Sequence, residues 1–197
     1  MGAPQKLQIH LLGEMRVSHE GEAGVLPQSR KTRGLLAYLA LVQRRHRRDE
    51  LCELLWDAPS DPRASLRWSL SKLRPLLHGG AATALITDRD TVGLDFGLLS
   101  VDVLVIQALV AESTDSISDE ELIELENRFS RGYLTGLDDV GSRRFQIWLE
   151  SERKSLRELH RRVIAAAVSR PSIAAAERLR LAGKAVALDP LHDASNA

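Results

Sequence analysis

Residues 60–77 read Ser60-Asp-Pro-Arg-Ala-Ser-Leu-Arg-Trp-Ser-Leu-Ser-Lys-Leu-Arg-Pro-Leu-Leu77, and their reading decides the fold. Asp61 carries the short acceptor that suits a helix N-cap, and Pro62 has the fixed φ that suits the first helical position. Leu66, Leu70, Leu73 and Leu77 recur at i, i+4, i+7 and i+11, a narrow apolar stripe. Away from that stripe lie Arg67, Trp68, Ser71 and Lys72, with Arg63 and Arg74 on its flank. One side of this helix needs a core. The other offers cations and donors to an anion or a base edge, which is the profile of a DNA-reading helix. A solvated Arg-rich face has the same composition, so the neighbouring segments must arbitrate.

Upstream, Leu7, Ile9 and Leu11 alternate with Gln8 and His10, and Met15 and Val17 alternate after Gly13. This period of two predicts strands over 7–26, with His19 to Gly24 as a turn and Val25-Leu26-Pro27 as a short return strand. The run Gly34 to Val42 is apolar all round and dominated by Leu and Ala, so 30–43 reads as a buried helix capped by Ser29. Arg44 to Arg48 is a basic connection. Asp49 and Glu50 suit the first turn of a short helix over 49–57, with Leu51, Leu54 and Leu55 inward and Pro59 as its stop. Gly79-Gly80 breaks the chain after the helix at 62–77. Leu85-Ile86-Thr87 and Thr91-Val92-Gly93-Leu94 then flank Asp88-Arg89-Asp90, a hairpin with Arg89 at its tip.

Strands, three helices and a hairpin, in that order, form a winged helix-turn-helix pattern. In that arrangement helix 62–77 lies in the major groove, where all base pairs can be told apart. Arg67 can pair bidentately with guanine, Ser71 can bond a base edge or a phosphate, and Trp68 can press on a thymine methyl or the sugar backbone, or pack against the wing or the second domain. Lys72, Arg63 and Arg74 are expected to hold phosphates, as are Arg47, Arg48 and Lys31 near helix starts. Arg89 on the wing is placed to enter the minor groove.

Beyond residue 99 the pattern becomes wholly helical. Val101 to Glu112 is apolar, and Ser118-Asp-Glu-Glu121 is a capping-box start for a helix to about Ser130. Gly132 and Gly136 mark a loop. Residues 143–168 read as a long amphipathic helix with Phe145, Trp148, Leu149, Leu156, Leu159 and Val163 on its apolar face. Residues 172–188 are Ala-rich, with Leu179, Val186 and Leu188, and Asp189-Pro190 ends the run. Small residues at that density permit close helix pairs, as in stacked helical hairpins.

Composition limits the alternatives. The 197 residues carry no net formal charge, so a uniformly basic nucleic-acid coat is excluded. The charge is uneven, however: residues 30–78 hold 11 Lys and Arg against 5 Asp and Glu. The single cysteine, Cys52, lies beside Leu51 and Leu54 and reads as core. The six histidines show no metal-ligand spacing, the glycines at 132 and 136 lack the Lys-Ser/Thr of a phosphate loop, and Asp138-Asp139 reads as a solvated turn. Neither an enzyme nor a metal or cofactor site is expected. No apolar run nears the roughly 18 residues of a membrane helix, and no secretory signal opens the chain, so the cytoplasm is the expected compartment.

The stretches Leu7–Val17, Arg30–Leu41, Arg48–Asp57 and Ala64–Leu76 together resemble the start of the Streptomyces antibiotic regulatory protein (SARP) family. Val101-Asp102, Gly132-Tyr-Leu-Thr-Gly136, Phe145 with Trp148-Leu149, and Ala185 to Pro190 resemble landmarks of that family's second domain. The resemblance covers nearly the whole chain. It implies an α+β fold: an OmpR-type winged helix-turn-helix DNA-binding domain over 1–99, then an all-α tetratricopeptide-like bacterial transcriptional activator domain over 100–197. It implies a DNA-binding transcriptional activator that recognises promoter repeats as an oligomer, with RNA polymerase as a further partner. It carries DNA contact onto Arg67, Ser71, Lys72 and Arg74. The chain departs from the family in two places. The wing strand ends Val92-Gly93-Leu94-Asp95, without the family's aromatic and arginine, which shifts specificity onto helix 62–77. Family activator domains also continue past the equivalent of residue 197, so the chain reads as a fragment of a longer regulator. The competing expectation is a protein-interaction or sensory module that binds no DNA.

Overall fold

In the computed structural model, residues 6–56, 61–79 and 82–188 are described. Pro59, Gly80 and Asp189-Pro190, read above as stops, lie outside them. The order is mixed α and β first, then helical. Strands β1 (Leu7–His10), β2 (Arg16–His19) and β3 (Glu22–Ala23) are followed by α1 (Arg30–Leu41), β4 (His46–Arg47), α2 (Arg48–Leu55) and α3 (Pro62–Leu76). Short strands β5 (His78–Gly79) and β6 (Ala82–Thr83) precede the hairpin β7 (Leu85–Thr87) and β8 (Thr91–Leu94), and β9 (Leu99–Val101) closes this half. Helices α4 (Asp102–Glu112), α5 (Asp119–Phe129), α6 (Arg143–Val168) and α7 (Ala175–Ala187) make up the rest. No helix among the described residues is long and apolar enough to cross a membrane.

The local signals act as expected. Asp61 accepts from the Ala64 N–H at 3.0 Å and Ser29 from the Thr32 N–H at 3.3 Å, so each occupies a helix start that would otherwise leave donors unpaired. Ser118 and Glu121 form a reciprocal capping box on α5. Leu66, Leu70, Leu73 and Leu77 are all buried. Ser69 is buried too, because its hydroxyl meets that of Thr32 on α1 at 2.9 Å. The period of the apolar stripe could not reveal this polar tie.

One expectation needs correction. The return strand is Glu22–Ala23, paired with His19 and Ser18, rather than residues 25–27, and Val25 is 94 % exposed. The turn at Glu20-Gly21, both at positive φ, reverses the chain earlier than the apolar residues implied. Asp138 and Asp139 form the exposed turn expected, and the Asp138 carboxylate in addition holds Arg153 at 2.7 Å, which keeps its pKa below the usual carboxylate range.

The first sheet has the order β3-β2-β1-β9, and β9 lies parallel to β1 with Leu7 opposite Leu99 and Ile9 opposite Val101. Strand β9 therefore carries the sheet across residue 99 and leads straight into α4. At that junction Asp102 is buried. Its carboxylate accepts from the N–H groups of Leu11 at 2.9 Å, Leu12 at 3.3 Å and Val103 at 2.8 Å.

The rest of the seam is equally specific. The Gly13 N–H donates to the Gly132 carbonyl at 2.8 Å, and the Thr135 hydroxyl donates to the Gly13 carbonyl at 2.9 Å. Arg30 donates to the carbonyls of Gly136 and Asp138. The rings of Tyr38 on α1 and Trp148 on α6 meet edge-on at 4.8 Å. Gly34 faces Val140 and Phe145 so closely that a Cβ would lie 3.0 Å from the Val140 side chain. Leu35 to Ala40 are buried because α1 has α2 and α3 on one side and this helical segment on another. The apolar core is continuous through both halves.

Candidate nucleic-acid interface

The second sheet, β4-β8-β7, positions the site. His46 pairs with Val92 and Arg47 with Thr91, so the hairpin lies against the segment that starts α2. His46 is wholly buried there; burial pushes its imidazole below the usual pKa, and its ring lies 4.9 Å from Tyr38. Gly93 allows the approach, because a Cβ would lie 3.1 Å from the Arg45 side chain. Between the starts of α2 and α3 and the hairpin turn lies a cleft of about 630 Å³. It is lined by Arg47, Arg48, Arg63, Arg67 and Arg89, together with the buried Leu66. These are residues that the sequence nominated from three separate segments.

The cleft also holds Asp49, Asp88 and Asp90, which the sequence reading did not nominate. Arg63 places Nε and Nη2 on one oxygen of Asp49, at 3.2 and 2.9 Å, and this raises the guanidinium pKa. Arg48 donates through Nε to the Asp88 carbonyl at 3.1 Å, and its backbone N–H donates to the Asp90 carbonyl at 2.9 Å. Arg45 pairs with the Asp88 carboxylate at 3.0 Å. That carboxylate also accepts from the Thr91 hydroxyl and N–H and from the Asp90 N–H, bonds that bring its pKa down to about 2. Arg67 lies 3.9 Å from Asp61, at the edge of ion-pair range. Arg47 and Arg89 are exposed and have no carboxylate partner among the described residues.

The remaining nominated residues lie outside the cleft lining. Trp68 is 50 % exposed, and the Lys72 ammonium sits over its ring at 5.6 Å. Trp68 is thus not buried against the helical half, one of the places the sequence leaves open to it. The Ser71 hydroxyl donates to the Trp68 carbonyl at 2.6 Å, leaving its oxygen lone pairs as acceptors. Arg74 reaches the Thr87 hydroxyl at 3.1 Å and so ties α3 to the hairpin. Lys31, in the first turn of α1, is half-buried and does not line the cleft.

The cleft acidic residues had a readable signal in part. An Asp that opens a tight turn accepts N–H groups two and three positions on, as Asp88 does. The Arg63–Asp49 pair joins two helices and had none. Cys52 is buried and unpaired on α2. Among the described residues no group of His, Cys, Asp and Glu is arranged to hold a metal ion. In comparisons with known proteins, no family model and no curated protein matches the chain.

Proposed function

We propose that this protein is a sequence-specific DNA-binding transcriptional regulator of the SARP type, with an OmpR-type winged helix and a tetratricopeptide-like activator region. The observation that carries this reading is the cleft, where α2, α3 and the hairpin turn bring Arg47, Arg48, Arg63, Arg67 and Arg89 to one surface. Phosphates are the groups that such a set of guanidiniums holds best, and phosphate contacts fix the register in which bases are read. In this reading α3 enters the major groove and presents Arg67, Trp68 and Ser71 to base edges. Arg47 and Lys72 hold the backbone, and Arg89 reaches the adjacent groove from the wing. Arg48, Arg63 and Arg74 have protein partners and act on DNA only as far as those partners release them.

The helical half gives the regulator a second surface. It is joined to the DNA-reading half by buried hydrogen bonds and a shared core, so any oligomer formed through it fixes the spacing of the α3 helices on promoter repeats. One small reader makes few base contacts, and oligomerisation supplies the rest. Activation through RNA polymerase belongs to the same proposal.

Duplexes selected from a random pool, followed by gel-shift titration over a salt series, test the reading. A salt-dependent complex is expected, and Arg67→Ala with Lys72→Ala lowers affinity and flattens the salt slope by about 0.9, the one phosphate contact assigned to Lys72. An unchanged affinity and slope in that double variant would mean that α3 is not the DNA surface. The second reading is a protein-interaction module that binds no DNA. It is favoured by Asp49, Asp88 and Asp90, which interrupt the basic face, and it requires that no duplex bind at any salt concentration.

A further inference from the structure

Three ties close a ring around the cleft. Arg63–Asp49 joins α3 to α2, Arg48 joins the start of α2 to the carbonyls of Asp88 and Asp90, and Arg74–Thr87 joins the hairpin back to α3. The carboxylates in this ring are not equivalent. Asp88 spends both oxygens inside the hairpin and on Arg45: Oδ1 receives two backbone N–H groups, and Oδ2 receives the Thr91 hydroxyl and the Arg45 guanidinium. Asp49 has a different pattern. It gives one oxygen to Arg63, and both side chains stand more than half in solvent.

We propose that these two cleft carboxylates act in opposite senses on duplex binding: Asp88 positions the hairpin for the DNA, and Asp49 withholds Arg63 from it. The proposal rests on the DNA-binding reading and assigns it a specificity-determining pair. An exposed ion pair is weak and exchanges readily, so a phosphate presented at the right place displaces Asp49 from Arg63. A phosphate presented elsewhere gains nothing from Arg63 and meets the Asp49 charge. Asp49 therefore lowers affinity for every duplex and lowers it most where no phosphate reaches Arg63. This is discrimination by a repulsive element rather than by added attraction. Asp88 is a positioning residue. Its bonds fix the Asp88–Thr91 turn, and with it the place of Arg89, before DNA arrives, so less ordering remains to be done on binding.

The test compares Asp49→Asn and Asp88→Asn on the full chain, each titrated with a selected duplex and a random-sequence duplex over a salt series. Asp49→Asn is expected to tighten the random duplex about two- to fivefold, by removing the carboxylate charge it meets. The selected duplex gains less, so the specificity ratio falls. Asp88→Asn is expected to weaken the selected duplex although a negative charge has been removed. Thr91→Val changes no charge and breaks one of the same bonds; it is expected to shift affinity in the same direction by a smaller factor. Thermal unfolding of each variant separates loss of position from loss of fold. If both Asp variants tighten binding, the carboxylates are only repulsive charges and the proposal falls. If Asp49→Asn leaves the random duplex unchanged or weakens it, the proposal falls as well. If the unaltered protein binds no duplex, the DNA-binding reading fails first, and the variants are not needed to show it.

Discussion

The seam between the two halves and the cleft at the start of α3 are both built on carboxylates, but they use them in contrasting ways. In the seam, Asp102 is buried, holds three backbone N–H groups of buried residues and lies 3.6 Å from the Arg128 guanidinium. In the cleft, Asp49 and Asp88 face solvent, and their cationic partners are exposed arginines. A buried acceptor is hard to remove because the donors it leaves behind stay desolvated. An exposed partner is replaced by water at little cost. The seam is therefore suited to holding two halves in one geometry, and the exposed Arg63–Asp49 pair of the cleft to exchanging its partners.

A second pair makes the same point through proton affinity. Glu126 on α5 and Asp88 in the hairpin are both held at about 2, for different reasons. For Glu126, burial pushes the carboxyl up, and this is outweighed by hydrogen bonds from Lys184 at 2.7 Å, Ser130 at 2.6 Å and Arg180 at 3.3 Å. For Asp88, the Thr91 hydroxyl is the first cause, followed by the N–H groups of Thr91 and Asp90. Equal pKa values thus coexist with unequal structural weight. Only Glu126 ties α5 to α7 within the fold.

The contrast predicts an order of effects. The largest belongs to Asp102→Ala, which orphans buried donors of Leu11 and Leu12. We expect a loss of about 3–5 kcal/mol in urea unfolding, and an unchanged midpoint would remove the seam from the account. Acid comes next. A carboxyl whose folded pKa is depressed contributes stability that is complete above its unfolded value, near 4.5, and is lost as pH falls toward about 2. Unfolding midpoints should therefore drop across that window, and Glu126→Gln should flatten the drop; an equal drop in the variant places the acid sensitivity elsewhere. The smallest effect belongs to Arg63→Ala. It breaks an exposed pair and should leave the unfolding midpoint where it was while changing the salt dependence of duplex binding. A marked loss of stability would mean that the cleft is a structural feature like the seam.

Much of the fold was legible in residues 60–77 and their neighbours because the signals are short-range. A cap acts over three positions, a helical stripe repeats over three or four, and a turn Asp acts over two or three, so Asp61, Ser118, the leucine stripe and the Asp88–Asp90 turn could be read directly. The strand after β2 was misplaced because the apolar Val25 outweighed the turn at Glu20-Gly21, although the turn sets the register. Ser69 and Asp49 were missed because each is explained by one side chain on another helix.

By itself, then, the sequence determined where the helices start, which face of α3 enters the core, where the hairpin turns and which arginines are available to an anion. Tertiary structure decided which of those arginines share a cleft, which already have partners and how the halves join. Asp102 meets Leu11 from 91 positions away, Arg30 meets Gly136 from 106, and Arg48 meets Asp88 from 40. Such contacts leave no period in the chain. They exist because the pairings of β1 with β9 and of β4 with β8, and the bridge of Leu12 to Tyr133 beside the Gly136 loop, bring distant segments together.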